Sequence, residues 1–213
     1  MTTAHPSTQE LLVLHAVCLL GFADSRAVAE RAGTSHGTAV QVLGRAERAG
    51  WIQHFTFADL AGWSLTDPGK SENERQLAAE RGTVDRENTI PAIYGGFLPL
   101  NARLLRAVTD WQIKPTGADR FGTNNHDDPE WDRGILDELS ALGSELAPLA
   151  GRLSALLMRF DGYVARYESA LEKGRNGQHN WIDTTTVDSC HRVWFQLHED
   201  LIATLGISRH EEA

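Results

Sequence analysis

The sequence predicts a mainly α fold, with three short helices and a β-hairpin followed by an all-helical region of about 130 residues. Three observations predict it. Up to Gly50, apolar residues recur at helical spacing between capping residues and glycines. WIQHFTF then alternates at period two and is rich in aromatic and β-branched residues. After Asp67 the helical pattern returns, and no further strand signal follows.

The first helix runs from about Thr8 to Leu20, with Ser7 or Thr8 as N-cap, Glu10 in its first turn and Gly21 to end it. Asp24 caps a short second helix, SRAVAERA, which places Val28 and Ala32 on one face and stops at Gly33. Thr34 or Ser35 caps a third, reaching about Ala49 before Gly50. On it Ala39, Leu43 and Ala46 recur at i, i+4 and i+7, which defines a buried stripe. The strands WIQHFTF and WSLT are joined by a turn, ADLAG. Asp67-Pro68-Gly69 opens the next helix, with proline near its first turn, ending near Arg81.

Beyond it, a helix is expected from about Val84 to Trp111, with an interruption near Tyr94-Gly95-Gly96 and Pro99. KPTGADRFGTNNHDDP is a polar loop full of turn formers. Residues from Trp131 to about Leu171 form a long helical region kinked or divided at Pro148. EKGRNGQHN is a second loop, and a last helix spans about Thr186 to Leu205. Two domains result, residues 1–82 and 83–213, meeting in the helix after the hairpin.

The formal net charge of -9 argues against a general nucleic-acid coat, which would be basic. It leaves room for a specific DNA reader, because only the face that meets phosphate must be positive. Much of the acid lies in the second half, in HDDPEWD and HEDL. Two distant cysteines, Cys18 and Cys190, make no disulfide framework, so a reducing cytosol is expected. No signal peptide is visible in MTTAHPSTQE. The run from Leu11 to Phe22 is too short to span a bilayer. A cytoplasmic protein without membrane contact is expected.

The string VAERAGTSHGTAVQVLGRAERAGWI, closed by GWSLTDPGK, resembles the winged helix-turn-helix of bacterial regulators in the broad MarR, PadR and GntR group. The resemblance covers about residues 8–82. It implies that the third helix enters the major groove with its N-terminal residues toward base edges. The side chains left outward by the Ala39 stripe are then Ser35, His36, Thr38, Gln41 and Arg45. Ser35 and Thr38 would bond phosphate, Gln41 would read adenine, and Arg45 would read guanine or bind phosphate. His54 and Thr56 of the wing would reach a neighbouring phosphate or the minor groove. The wing tip, FADLAG, departs from the pattern by holding no Arg or Lys. A homodimer on a double-stranded operator is implied, with dimerisation carried by the C-terminal part.

That C-terminal part is larger than a bare reader needs, which suggests a small-molecule effector site. Candidate contacts come from FLPLNARLLRAVTDWQ and VDSCHRVWFQLHEDL. In the first, Asn101 and Arg103 are polar groups on an otherwise apolar helix that ends in Trp111. Arg103 could clamp a carboxylate or phosphate. In the second, His191, Trp194, His198, Leu201 and Leu205 share a face. The same tryptophans and histidines equally suit an ordinary helical core. His191 and His198 lie two turns apart, too far for easy binding of one ion. A metal would instead need one of them with His126, His179 or a carboxylate. Cys190 beside His191 is an inert buried thiol or an activated one. No cofactor is expected. Two other readings stay open: a metal-binding helical-bundle enzyme with an appended winged helix, and an adaptor whose winged helix binds protein.

Overall fold

A computed structural model describes residues 4–57, 60–117 and 119–207. It is mainly helical, with a two-stranded antiparallel sheet after three helices. Helix α1 (Gln9–Leu20) begins where the Thr8 hydroxyl accepts the Leu11 N–H, and it ends at Gly21, φ 70°. Helix α2 (Ser25–Arg31) is capped by Asp24, whose carboxylate accepts the Arg26 and Ala27 N–H groups. Gly33, φ 61°, supplies the left-handed turn into α3 (His36–Arg48). Ser35 caps α3, and its buried face is Ala39, Val42, Leu43 and Ala46. These side chains pack with Val13, Leu14, Val17 and Val28 into one apolar core.

Strand β1 (Ile52–Phe57) pairs with β2 (Leu60–Leu65) from Ile52↔Leu65 to Phe57↔Leu60. The expected ADLAG turn is therefore too long, since Leu60, Ala61 and Gly62 are strand. Its other residues, Ala58 and Asp59, lie outside the described residues. Gly62 looks like a turn former but serves close approach. A Cβ there would come within 2.9 Å of the Ala23 carbonyl oxygen. Next to it, Ala23 and Trp63 exchange both backbone hydrogen bonds, so the α1–α2 connection adds a one-residue third strand.

Helix α4 (Asp67–Val84) starts at the Thr66 cap, with Gly69 against the backbone of Trp51. Its inner face is Gly69, Asn73, Leu77 and Glu80. This helix touches both parts of the chain: it contacts α1, and its Arg81 donates to the Leu205 carbonyl at 2.9 Å.

A second core is built by α5 (Thr89–Gln112), α6 (Pro129–Leu156), α7 (Tyr163–Arg175), the single turn α8 (Asn180–Asp183) and α9 (Cys190–Leu205). Several boundaries correct the sequence reading. Helix α5 starts at Thr89, because the Asp85 carboxylate takes the Thr89 and Ile90 N–H groups. It then runs unbroken through Gly95, Gly96 and Pro99. The face Ile93, Phe97, Leu100 and Leu104 is buried along its length, and that packing against neighbouring helices holds it. Helix α6 likewise passes Pro148 and ends at Leu156 instead. The break comes where His5 and Leu157 form a parallel bridge, followed by a 3₁₀ turn, Met158–Phe160, and by Gly162 at φ 85°. The N-terminal segment is thus tied to the C-terminal helices, a long-range pairing that local pattern does not reveal. Glu172–Arg175 belong to α7 and not to a loop. Helix α9 starts at Cys190, four residues later than expected, because Ser189 is its cap and donates to the Thr184 carbonyl at 2.6 Å. No described helix is long and apolar enough to cross a membrane.

Candidate nucleic-acid interface and adjoining cavity

Away from its buried face, α3 exposes His36, Gly37, Val40, Gln41, Arg45, Glu47 and Arg48. Gln41 and Arg45 point outward as their helical phase requires. Ser35 is committed to capping, since its Oγ accepts the Thr38 N–H at 3.1 Å and lies 2.8 Å from the Thr38 hydroxyl. Thr38 is half-buried by the same pairing. The His36 ring meets Ser25 Oγ at 2.9 Å, which joins the starts of α2 and α3. The sequence reading missed Val40 and Arg48. Arg48, nine residues after Ala39, lies about 180° around the helix from it at about 100° per residue, a phase the sequence already contained. On β1, His54 and Thr56 are exposed, and His54 packs edge-on against Trp63 at 4.6 Å. Phe55 and Leu60 on the same hairpin are 47 % and 65 % exposed.

The C-terminal candidates do not meet in one cavity. Trp111 and Trp194 are core side chains, and the Trp194 indole donates to Asn101 Oδ1 at 3.1 Å. Arg103 lines a cleft of about 400 Å³ with Trp131 and Glu138. Its guanidinium is already held by Glu138 at 2.8 Å and Glu145 at 2.7 Å. His198 is half-buried, packed near Tyr94 and Phe97 with ring centroids 6.0 and 5.4 Å away. His191 is half-buried as well. The buried face of α9 is instead Val193, Trp194, Leu197 and Leu201, with Gln196, Asp200 and Thr204 beside it. His126 and His179 do come together, with ring centroids 4.3 Å apart, and His126 Nδ1 is 3.0 Å from Asp132. Among the described residues no group of three or more His, Cys, Asp or Glu is placed to hold a metal ion. Burial pushes the Cys190 thiol up to about 12, so it is not the activated thiol considered beside His191.

A buried charge cluster lies between the two cores, and the sequence reading did not find it. Asp200 of α9 is 1 % exposed. Its carboxylate meets His15 Nε2 of α1 at 3.0 Å, the Tyr163 hydroxyl of α7 at 2.9 Å and the Arg159 guanidinium. Arg31 of α2 lies 3.9 Å away and donates to the Tyr163 hydroxyl. Arg159 also pairs with Glu80 of α4 at 3.0 Å, and Asn73 of α4 faces His15 at 3.4 Å. Burial alone would raise the Asp200 carboxyl, but Arg159 and His15 outweigh it and hold it well below the usual carboxylate range. Five separate elements of the chain thus converge on one buried negative charge.

Beside this cluster opens a cavity of about 800 Å³ between α1 and α2 on one side and the 3₁₀ turn, α7 and α9 on the other. Arg31, Arg159, Arg166 and Arg192 line it together with apolar residues of α1. Arg166 is locked onto Asp188 at 2.6 and 2.7 Å and onto Gln196 at 2.6 Å. Comparison with protein-family models, curated proteins and solved structures finds no match for the chain.

Proposed function

We propose that the chain is a cytoplasmic DNA-binding transcriptional regulator whose first 82 residues form a winged helix-turn-helix and whose remaining helices form a body that pairs two copies and senses a small molecule. The observation that carries this reading is the surface of α3. Gln41, Arg45 and Arg48 stand exposed opposite an apolar face, Gly37 and Gly44 leave room for close approach, and the hairpin lies next in the chain. In the major groove such a helix has an amide to read adenine, a guanidinium to read guanine, and Val40 to meet a thymine methyl group. Ser35 and Thr38, already paired with each other, set the helix start and make secondary phosphate contacts.

A two-fold operator asks for a two-fold protein. The second copy is assigned to the exposed face of α5, where Gly95, Leu98, Ala102 and Leu105 repeat at intervals of three and four residues toward solvent. One observation favours the adaptor reading: the hairpin exposes Phe55 and Leu60, apolar groups suited to a protein partner.

Fluorescence anisotropy against labelled fragments from upstream of the chain's own gene, at two salt concentrations, separates the two. A DNA reader binds with affinity that falls steeply with salt, in proportion to the phosphates it neutralises. Arg45→Ala then weakens binding about 5- to 150-fold, equivalent to about 1–3 kcal/mol. Salt-insensitive binding, or none above random DNA, removes the regulator reading.

A further inference from the structure

We propose that the cavity between α1–α2 and the 3₁₀ turn–α7–α9 wall binds a small organic carboxylate, its anion taken by Arg31 and Arg192 and its apolar body lying on Leu12, Ala16 and Leu19. The volume of about 800 Å³ is that of a small-molecule site, and its place between two packed units is where such sites occur. The four arginines of the wall are not equivalent. Arg159 and Arg166 are held by the carboxylates of Asp200, Glu80 and Asp188. Arg31 and Arg192 have neutral oxygens as their nearest partners, the Tyr163 hydroxyl and the Thr185 carbonyl at 3.0 Å. Arg31 Nε makes no hydrogen bond although it is buried. Asp200 stands 3.9 Å from Arg31 and is shared with Arg159 and His15, so neither Arg31 nor Arg192 has a carboxylate of its own. The acids Glu30 and Asp161, also on the wall, are exposed and screened by water. A guanidinium fork beside an apolar floor recognises a carboxylate on a hydrocarbon body.

The site would also report its occupancy. Arg31 is the last residue of α2, just before the turn into α3. It is bound to Tyr163 of the body, so an anion that draws it away changes how α2 rests on α7. This regulatory role rests on the DNA-reading proposal, whereas the binding itself does not.

The test titrates the full chain, without DNA, with sodium octanoate, 1-octanol and sodium phosphate by calorimetry. Octanoate is expected to saturate one site per chain at least tenfold more tightly than octanol, with phosphate weaker than both. Arg31→Gln weakens octanoate at least tenfold and leaves octanol unchanged, and Leu12→Gln weakens both. Arg192→Gln gives the same result should Arg31→Gln fail to fold. Absent saturation, equal affinity for octanoate and octanol, phosphate binding as tight as octanoate, or octanoate binding untouched by the arginine variants overturns the proposal. Octanoate binding that persists in a chain without specific DNA affinity keeps the site and discards its regulatory role.

Discussion

Replacing Asp200 of α9 by asparagine keeps the side chain's shape and removes the charge on which α1, α2, the 3₁₀ turn and α7 converge. Removing one partner of a buried ion pair costs about 3–5 kcal/mol, because the other charge is left in a poorly polarisable site. Arg159 retains Glu80 at 3.0 Å, which places the expected loss at the lower end, about 3 kcal/mol. For a chain of this length each kcal/mol moves the melting temperature by about 2–4 °C, so Asp200→Asn lowers it by about 6–12 °C. Circular dichroism during heating measures this directly. The pH dependence adds a second constraint. The folded carboxyl titrates well below its usual range, whereas the unfolded one titrates near pH ~4. Its stabilisation is therefore complete above about pH 4 and is lost as pH falls toward the folded value. The variant lacks that titration, so the gap between the two proteins is full at neutral pH and narrows under acid. A loss below about 1 kcal/mol, or a gap that widens as pH falls below about 4, refutes the reasoning.

Three further outcomes test other parts of the fold. Gly69→Ala places a Cβ 1.7 Å from the Trp51 carbonyl oxygen. It should lower stability to guanidinium by about 1–3 kcal/mol or more, since backbone on both sides must move. Leu98→Glu with Leu105→Glu places two charges on the exposed face of α5, and if the proposed pairing is right, light scattering should show two chains for wild type and one for the variant. Burial pushes the thiols of Cys18 and Cys190 up to about 11 and about 12, so a maleimide should label native protein slowly and urea-unfolded protein fast. Rapid native labelling would show that the helices around them open.

The N-terminal helices were legible because their signals are local. Thr8, Asp24 and Ser35 cap the helices they precede, and Ala39, Leu43 and Ala46 are buried at their expected spacing. The errors concentrate where distant chain segments decide the outcome. The kink or division expected at Pro148 is not a helix end, since α6 runs on to Leu156, where His5 pairs with the chain. Gly62 was assigned to a turn, yet its lack of a side chain admits Phe22 and Ala23. The buried face of α9 was phased on its aromatic and histidine residues, which hid Asp200 among nearby acids. Only Arg159, Tyr163 and His15, each remote in sequence, distinguish that acid from the solvated ones beside it.

The same convergence bears on how a signal would pass between the two parts of the chain. A DNA-binding unit on a flexible linker feels its body only through effective concentration. Here α4 is a continuous helix with Asn73 facing His15 of the first core and Arg81 bonded to the end of α9. The His5 bridge ties the start of the chain to Leu157, and Asp200 joins α1 to α7. Moving α2 against the body must therefore rearrange the Arg31 contacts to Tyr163 and Asp200. Such a contact favours two discrete arrangements over a continuous range, which is the property a ligand-driven switch needs. On the proposed reading, a carboxylate held in the cavity beside the Asp200 cluster would act on α3 through Arg31, the last residue of α2.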